Sequence, residues 1–456
     1  MSFAWTKDEV ASALANHARG ALPRGSGRFS GVSTDTRTIT PGALFVALRG
    51  ENHDAHDHLA AAVAAGATGV VVSDAAKAAA VTVPVYLVDD TLHALGALGS
   101  HRRAAWGKPV VGVTGSNGKT STKELLRAAL GAGFRVHATQ GNLNNQIGVP
   151  LTLLAIPDDA EIAVVEMGTS LPGEIALLRA IADPDISVLT SVAEAHLELL
   201  KSIDGVRREK SAIFEDVAVA VVPATEPEVI EMARARAVRV IVAGLGEGDV
   251  RATRWGSSGD TLAGGGWLEV DGTRIDVPLR GEHNLRNAML AIAVARECGV
   301  PLAAIASGIA SMPQPKMRLA AEPLGKALLI NDAYNANPGS TRAAVDLLDG
   351  TARGRQRVLV LGTMRELGPG AAALHAEIAK RAVGSSIEVI AGIGDFAPAL
   401  AALHDDRVVT APDVDELWPL LRAKLAPDAV ILLKASRGMK LERIVPHLTA
   451  WADATR

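Results

Sequence analysis

Seven consecutive residues, Gly115, Ser116, Asn117, Gly118, Lys119, Thr120 and Ser121, carry the clearest chemistry in the chain. They stand between an apolar run at 109–114 and a segment at 121–130 with the pattern of a helix. Glycines in a strand-to-helix turn let backbone N–H groups converge on phosphate oxygens, and the helix N-terminus favours their negative charge. Lys119 adds a point charge, and Thr120 a hydroxyl of the kind that ligates magnesium. The standard phosphate loop has glycine five positions before Gly118, where this chain has Val113, so the loop is the shorter Gly-x-x-Gly-Lys-Thr form. An ordinary turn with an exposed lysine is the bland alternative. Strand, helix and Gly-Lys-Thr together weigh against it.

In a parallel sheet, ligands bind at the carboxyl ends of the strands. Glu166 directly follows the apolar run 162–165, and His196 follows the next one, 186–190. Both fall on the sheet edge that carries the loop, where a carboxylate and an imidazole could hold metal or phosphate. Alone, each would read as a solvated acid and a structural histidine. Lys210, in Arg207-Arg-Glu-Lys210, reads from composition as one cation on a solvated helix face.

The elements that must position these groups recur along the chain. Thr6 and Glu9 have capping-box spacing, so a helix starts there. Strands are expected at 44–48, 69–72 and 83–88, a strand and turn at 29–39, and a helix at 60–67. This first α/β region ends near Gly107. Strands at 109–114, 162–165, 186–190 and 218–222 alternate with helices, which implies right-handed crossovers and a mostly parallel sheet. Residues 238–279 read as short strands with glycine turns, Asp271-Gly272 being a hairpin signal. Residues 284–298 form an all-round apolar helix. Pro313-Gln-Pro315 marks a boundary. Strands at 327–330, 358–361, 387–390 and 429–433 then alternate with helices again. The expected organisation is α/β in three domains: a small α/β domain (1–107), a central phosphate-loop parallel-sheet domain (108–313) and a Rossmann-like domain (314–456).

Composition limits the partners. The 456 residues carry 46 basic and 50 acidic side chains, a formal charge of −4, which excludes a dominant attraction to nucleic acid or anionic membrane. No apolar stretch reaches the roughly 20 residues of a membrane span. The N-terminus lacks a basic start and an apolar core, so no secretion is expected. The single Cys298 allows no internal disulfide or cysteine metal cluster and fits a reducing cytoplasm.

Further motifs accumulate: Ser33-Thr-Asp-Thr-Arg37, Leu44-Phe-Val-Ala-Leu-Arg-Gly50 with Asp54-Ala-His-Asp57, and Asn142-Leu-Asn-Asn-Gln-Ile-Gly-Val-Pro150. Gly281-Glu-His-Asn284 with Asn287, Asn331-Asp-Ala-Tyr-Asn-Ala-Asn-Pro338 and Lys434-Ala-Ser-Arg437 follow. Together they resemble the Mur ligase family, ATP-dependent amide-forming enzymes of peptidoglycan precursor synthesis, over nearly the whole chain. Within that family the motifs of residues 33–57, 142–150 and 331–338 point to the reaction that joins D-alanyl-D-alanine to UDP-N-acetylmuramoyl-tripeptide.

The resemblance implies roles. Ser33, Asp35 and Arg37 would hold the uridine nucleotide, and Asn142, Asn144 and Asn145 would face the muramoyl peptide. Residues 115–121 would hold the ATP phosphates, Asn284 and Asn287 would approach adenine, and Arg318 and Asp332 would reach ribose and phosphates. Asn335, Asn337, Lys434 and Arg437 would contact substrate from the third domain. Thr120, Glu166, His196 and Lys210 would serve magnesium, Lys210 as a carbamylated lysine, with Lys119, His196 and Lys210 catalytic. A carboxylate would attack the γ-phosphate of ATP to give an acyl phosphate, which the dipeptide amine then attacks. The rivals are a sister ligase adding another amino acid, a phosphate-loop ATPase and a nucleotide-sugar binder. Nothing demands association, so a monomer is expected.

Overall fold

The computed structural model describes residues 5–257, 264–313, 317–351 and 354–454. Three parallel or mainly parallel sheets follow one another along the chain, and each is the core of a lobe. In the first lobe the strands Val32–Ser33, Leu44–Val46, Gly69–Val72 and Val85–Leu87 lie side by side, all parallel. Leu44–Val46 and Gly69–Val72 are buried throughout, as expected for apolar strands covered on both faces. The expected capping box is present: the Thr6 hydroxyl accepts from the Glu9 N–H, and the Glu9 carboxylate accepts from the Thr6 N–H at 2.6 Å. Helix Lys7–Ala13 starts there.

Helix Thr91–Trp106, absent from the sequence expectation, starts where the Asp90 carboxylate accepts from the Leu92 and His93 N–H groups, and it joins the first lobe to the second. Buried Arg102 donates to the Ile156 carbonyl at 2.7 Å, and buried Arg103 pairs with Asp185 at 2.9 Å. The helix ends on Gly107, whose φ of 66° is the left-handed cap that glycine accepts without strain.

The middle sheet has seven strands, in the order Val250–Ala252, Arg239–Leu245, Val219–Pro223, Ile186–Leu189, Val110–Thr114, Ile162–Glu166, Val136–Ala138. All neighbouring pairs are parallel. The chain enters at Val110–Thr114, winds to one edge through Val136–Ala138, and returns to build the other half. The reversal beside Val110–Thr114 is the switch point where doubly wound sheets bind ligands. The Asp271-Gly272 turn is the expected hairpin, pairing Val270 with Thr273 with both turn residues at positive φ (47° and 75°). Helix Glu282–Glu297 is buried along most of its length, covered by the middle sheet and by this antiparallel ribbon.

The third sheet runs Ala320–Leu324, Ala327–Asp332, Val430–Lys434, Arg357–Leu361, Val389–Ile393, Val408–Ala411. Only the edge strand Ala320–Leu324, absent from the sequence expectation, is antiparallel. Of the expected boundary Pro313-Gln-Pro315, Gln314 and Pro315 lie outside the described residues.

Candidate active site

The loop after Val110–Thr114 depends on two glycines. Gly115 has φ 149°, and a Cβ there would fall 1.9 Å from Thr190 Oγ1. Gly118 has φ 80°, and a Cβ there would meet the Asn287 amide at 2.8 Å. The loop is pinned to the next strand end: Ser116 N–H donates to the Ser191 carbonyl at 2.8 Å, and Asn117 N–H to Ser191 Oγ at 3.1 Å. Helix Lys119–Gly131 then opens directly on it.

Lys119 folds back over the loop and donates to the Gly115 carbonyl at 2.6 Å. Burial pushes its pKa below that of an ordinary lysine; Glu166 opposes the shift and Arg318 adds to it. Glu166, buried at its strand end, accepts from Thr120 Oγ1 at 3.0 Å and from Asn144 Nδ2 at 2.8 Å. Among the described residues no group of three or more His, Cys, Asp or Glu is placed to hold a metal. Magnesium at a phosphate site, however, takes one or two protein oxygens and completes its shell with water and phosphate. The Thr120 hydroxyl and the Glu166 carboxylate fit that pattern.

His196 has φ 55° and sets its Nδ1 against the Glu366 carboxylate of the third lobe. That contact holds Glu366 below the usual carboxylate range.

Lys210 corrects the reading from composition. On helix Ile203–Ser211 it is fully buried (0 % exposed), and its Nζ has no hydrogen-bond partner. Burial pushes its pKa well below the ordinary lysine value and the Lys119 charge pushes it further, while Glu209 opposes. Glu209 spends its carboxylate on the N–H groups of Gly173 (2.7 Å) and Ile175 (2.8 Å).

The third lobe closes over this loop. Arg318 Nη2 donates to Thr120 Oγ1 at 2.9 Å across 198 residues of sequence. Asn337 caps helix Pro338–Asp349 and donates to Asn117 Oδ1 at 2.7 Å. Arg342 pairs with Glu194 at 3.0 Å. Asp332 and Lys434, at adjacent strand ends, form a 2.7 Å ion pair, and Lys434 also donates to the Asn335 carbonyl. Asn284 and Asn287 are linked at 3.1 Å beneath Gly118.

The result is a cavity of about 650 Å³ between the second and third lobes. Ser116 to Ser121, Asn144, Asn145, Glu166, His196, Asn284, Asn287, Arg318, Asp332, Asn335 and Lys434 all line it. Ser33, Asp35, Arg37, Gly115, Asn142, Lys210, Asn337 and Arg437 are not among its walls. Asp35 and Arg37 form an exposed pair on the first lobe at 2.6 Å, which holds the Asp35 carboxyl down at about 2. Arg437 pairs with Glu442 at 2.8 Å. The walls also include Glu174 and Tyr334, which sequence reasoning did not assign. Tyr334 lies inside the Asn331–Pro338 motif, whereas no local pattern marks Glu174.

A phosphate loop at a sheet switch point, closed by cationic groups from a separate lobe, defines a nucleotide-using enzyme whose site is completed only when its lobes meet. Family models match the chain in three stretches: the Mur ligase family catalytic domain at residues 28–103, the Mur ligase middle domain at 113–295, and the Mur ligase glutamate ligase domain at 317–437. The chain belongs to the Mur ligase family. It is 36 % identical to the UDP-N-acetylmuramoyl-tripeptide–D-alanyl-D-alanine ligase of Bacillus subtilis (strain 168), covering 92 % of this chain and 93 % of that one. The Escherichia coli (strain K12) ligase of the same name is 35 % identical, with 91 % and 93 % covered. A crystal structure of MurF from Acinetobacter baumannii superposes with a TM-score of 0.89 at 30 % identity, covering 98 % of this chain and 99 % of that one. MurF from Thermotoga maritima in complex with ADP superposes at 0.82 and 26 % identity, with 93 % and 98 % covered.

Proposed function

We propose that this chain joins D-alanyl-D-alanine to UDP-N-acetylmuramoyl-tripeptide, forming ADP and phosphate, in peptidoglycan precursor synthesis. The observation that carries this reading is the meeting of Lys119, Glu166 and the third-lobe Arg318 around one loop. The relatives named above support the substrate pair.

A carboxylate resists attack by an amine because its oxygen is a poor leaving group. Transfer of the γ-phosphoryl group to the tripeptide carboxylate gives an acyl phosphate, from which the dipeptide amine expels phosphate. Lys119, Arg318 and the loop N–H groups neutralise charge on the transferred group, which is most of what phosphoryl transfer asks of a protein. Magnesium held by Thr120 and Glu166 would supply further charge neutralisation. Lys210 is suited to carbamylation: a neutral amine takes up CO₂ and releases a proton, and burial favours the neutral amine. The carbamate would convert an unpartnered nitrogen, close enough to feel the Lys119 charge, into an anion behind the cavity walls. Closure by the third lobe keeps water from the acyl phosphate.

Asp35 and Arg37 lie outside the cavity walls, which suits a role at the distal uridine end of a long substrate. The domain limits that fit this division are 1–107, 108–313 and 314–456. Among the described residues no helix is long and apolar enough to cross a membrane; action on small molecules, as a monomer in the cytoplasm, belongs to this reading. Phosphate release measured with each substrate omitted in turn tests the whole reading. A ligase stays nearly silent until ATP, tripeptide nucleotide and dipeptide are all present. Release with ATP alone, unchanged by the other two, would overturn it.

A further inference from the structure

Arg318 is presented by an uncommon backbone. Both its neighbours lie in the left-handed region, Met317 at φ 56° and Leu319 at φ 54°. Bulky residues adopt that region only where their surroundings over-determine it. For Leu319 both lobes do so. The Leu319 N–H donates to Asp332 Oδ1 at 3.2 Å in the third lobe, and the Leu319 carbonyl accepts from Arg280 Nη1 at 3.0 Å in the second. The Arg318 side chain is held as firmly. One nitrogen donates to Thr120 at 2.9 Å, and the guanidinium carbon lies 4.2 Å from the centre of the Tyr334 ring. Tyr334 stands two residues beyond Asp332, at the same strand end.

We propose that Tyr334 is a positioning residue that acts through Arg318, its ring face holding the guanidinium over the phosphate loop before the nucleotide arrives. An arginine on a free stem loses rotamer freedom when it is fixed on an anion. A guanidinium already resting on a π-face and braced by Thr120 has lost much of that freedom in advance. The ring works by its face, so the Tyr334 hydroxyl is dispensable. This role rests on the ligase reading and deepens it.

The test is a double-mutant cycle on the full chain: Tyr334→Phe, Tyr334→Leu, Arg318→Ala and the Arg318→Ala/Tyr334→Leu double variant. Two readouts are taken, kcat and KM with all three substrates, and binding of a non-hydrolysable ATP analogue by calorimetry. Tyr334→Phe should stay within about 2-fold of the parent, whereas Tyr334→Leu should lower kcat/KM for ATP roughly 2- to 30-fold, the range of a cation–π contact. The KM for the tripeptide nucleotide should not move. In the Arg318→Ala background Tyr334→Leu should add almost nothing. The same fold-loss there as in the parent, or Tyr334→Phe as damaging as Tyr334→Leu, would overturn the proposal. If Tyr334→Leu melts well below the parent, Tyr334→Met replaces it in the cycle. If Arg318→Ala turns over too slowly to measure, the binding cycle with the non-hydrolysable ATP analogue decides. Wild-type phosphate release that ignores the other substrates would sink the ligase reading alone, since the calorimetric cycle still judges Tyr334.

Discussion

Replacing Lys210 with methionine should abolish ligation and yet make the protein more stable. The side chain is fully buried, and its Nζ has no partner. An unsatisfied buried polar group costs about 1–3 kcal/mol, and methionine fills a similar volume without that cost. For a lobe of this size the gain corresponds to roughly 2–12 °C in Tm. The pH dependence separates this from generic repacking. The folded-state pKa of Lys210 lies well below the ordinary lysine value. Below the folded pKa both states carry the proton, and the penalty on the wild type is complete. As pH rises through the folded pKa towards the unfolded lysine value, the unfolded state binds more protons, so wild-type stability climbs. The advantage of Lys210→Met should therefore be widest at low pH and narrow towards alkaline pH. The assay is urea denaturation across pH in CO₂-free buffer, with phosphate release alongside. Added bicarbonate should raise the stability of the wild type and leave the variant unmoved. A variant less stable than the wild type, or a gap that stays constant with pH, would refute the buried neutral amine and the carbamate built on it.

Lys119→Ala should cut ligation by roughly 10²–10³-fold, the loss typical of deleting one preorganised donor, while calorimetry shows the tripeptide nucleotide still binding. Arg37→Ala should raise the KM for the tripeptide nucleotide and leave that for ATP unchanged; steady-state kinetics with each substrate varied in turn would show equal effects if the exposed pair were merely structural. Gly118→Ala should lose about 1–2 kcal/mol because alanine resists the left-handed conformation. Because the new Cβ also pushes on Asn287, ADP affinity measured by calorimetry should fall with it.

The phosphate loop could be read from the sequence because its chemistry is contiguous: glycines, Lys119 and Thr120 adjoin, and an apolar strand and a helix flank them. The capping box at Thr6 and the Asp271-Gly272 hairpin were legible for the same reason, since partners three residues apart or less leave a local pattern. Helix Thr91–Trp106 escaped although Asp90 and Gly107 cap it locally: its buried residues divide between two lobes, Ala94, Leu95 and Leu98 packing into the first while Arg102 and Arg103 find partners far along the chain, so no single apolar stripe marks it. Strand Ala320–Leu324 escaped because its sequence, Ala-Ala-Glu-Pro-Leu, is a half-exposed edge with neither alternation nor a β-branched run.

The sequence by itself determined which groups could bind phosphate and that parallel sheets would carry them, because strand period, turn chemistry and the loop motif are local properties. Lys210 shows where that reach ends. Arg207-Arg-Glu-Lys210 is by composition a solvated face, and only packing decides that this lysine is fully buried while Glu209 turns to the backbone of Gly173 and Ile175. The tertiary structure alone also decided that Arg318 would meet Thr120 and that Asn337 would meet Asn117, 220 residues away. A side chain's pKa and partners depend on the solvent and charges around it, and those are set when distant segments pack, not by the residues beside it in the chain.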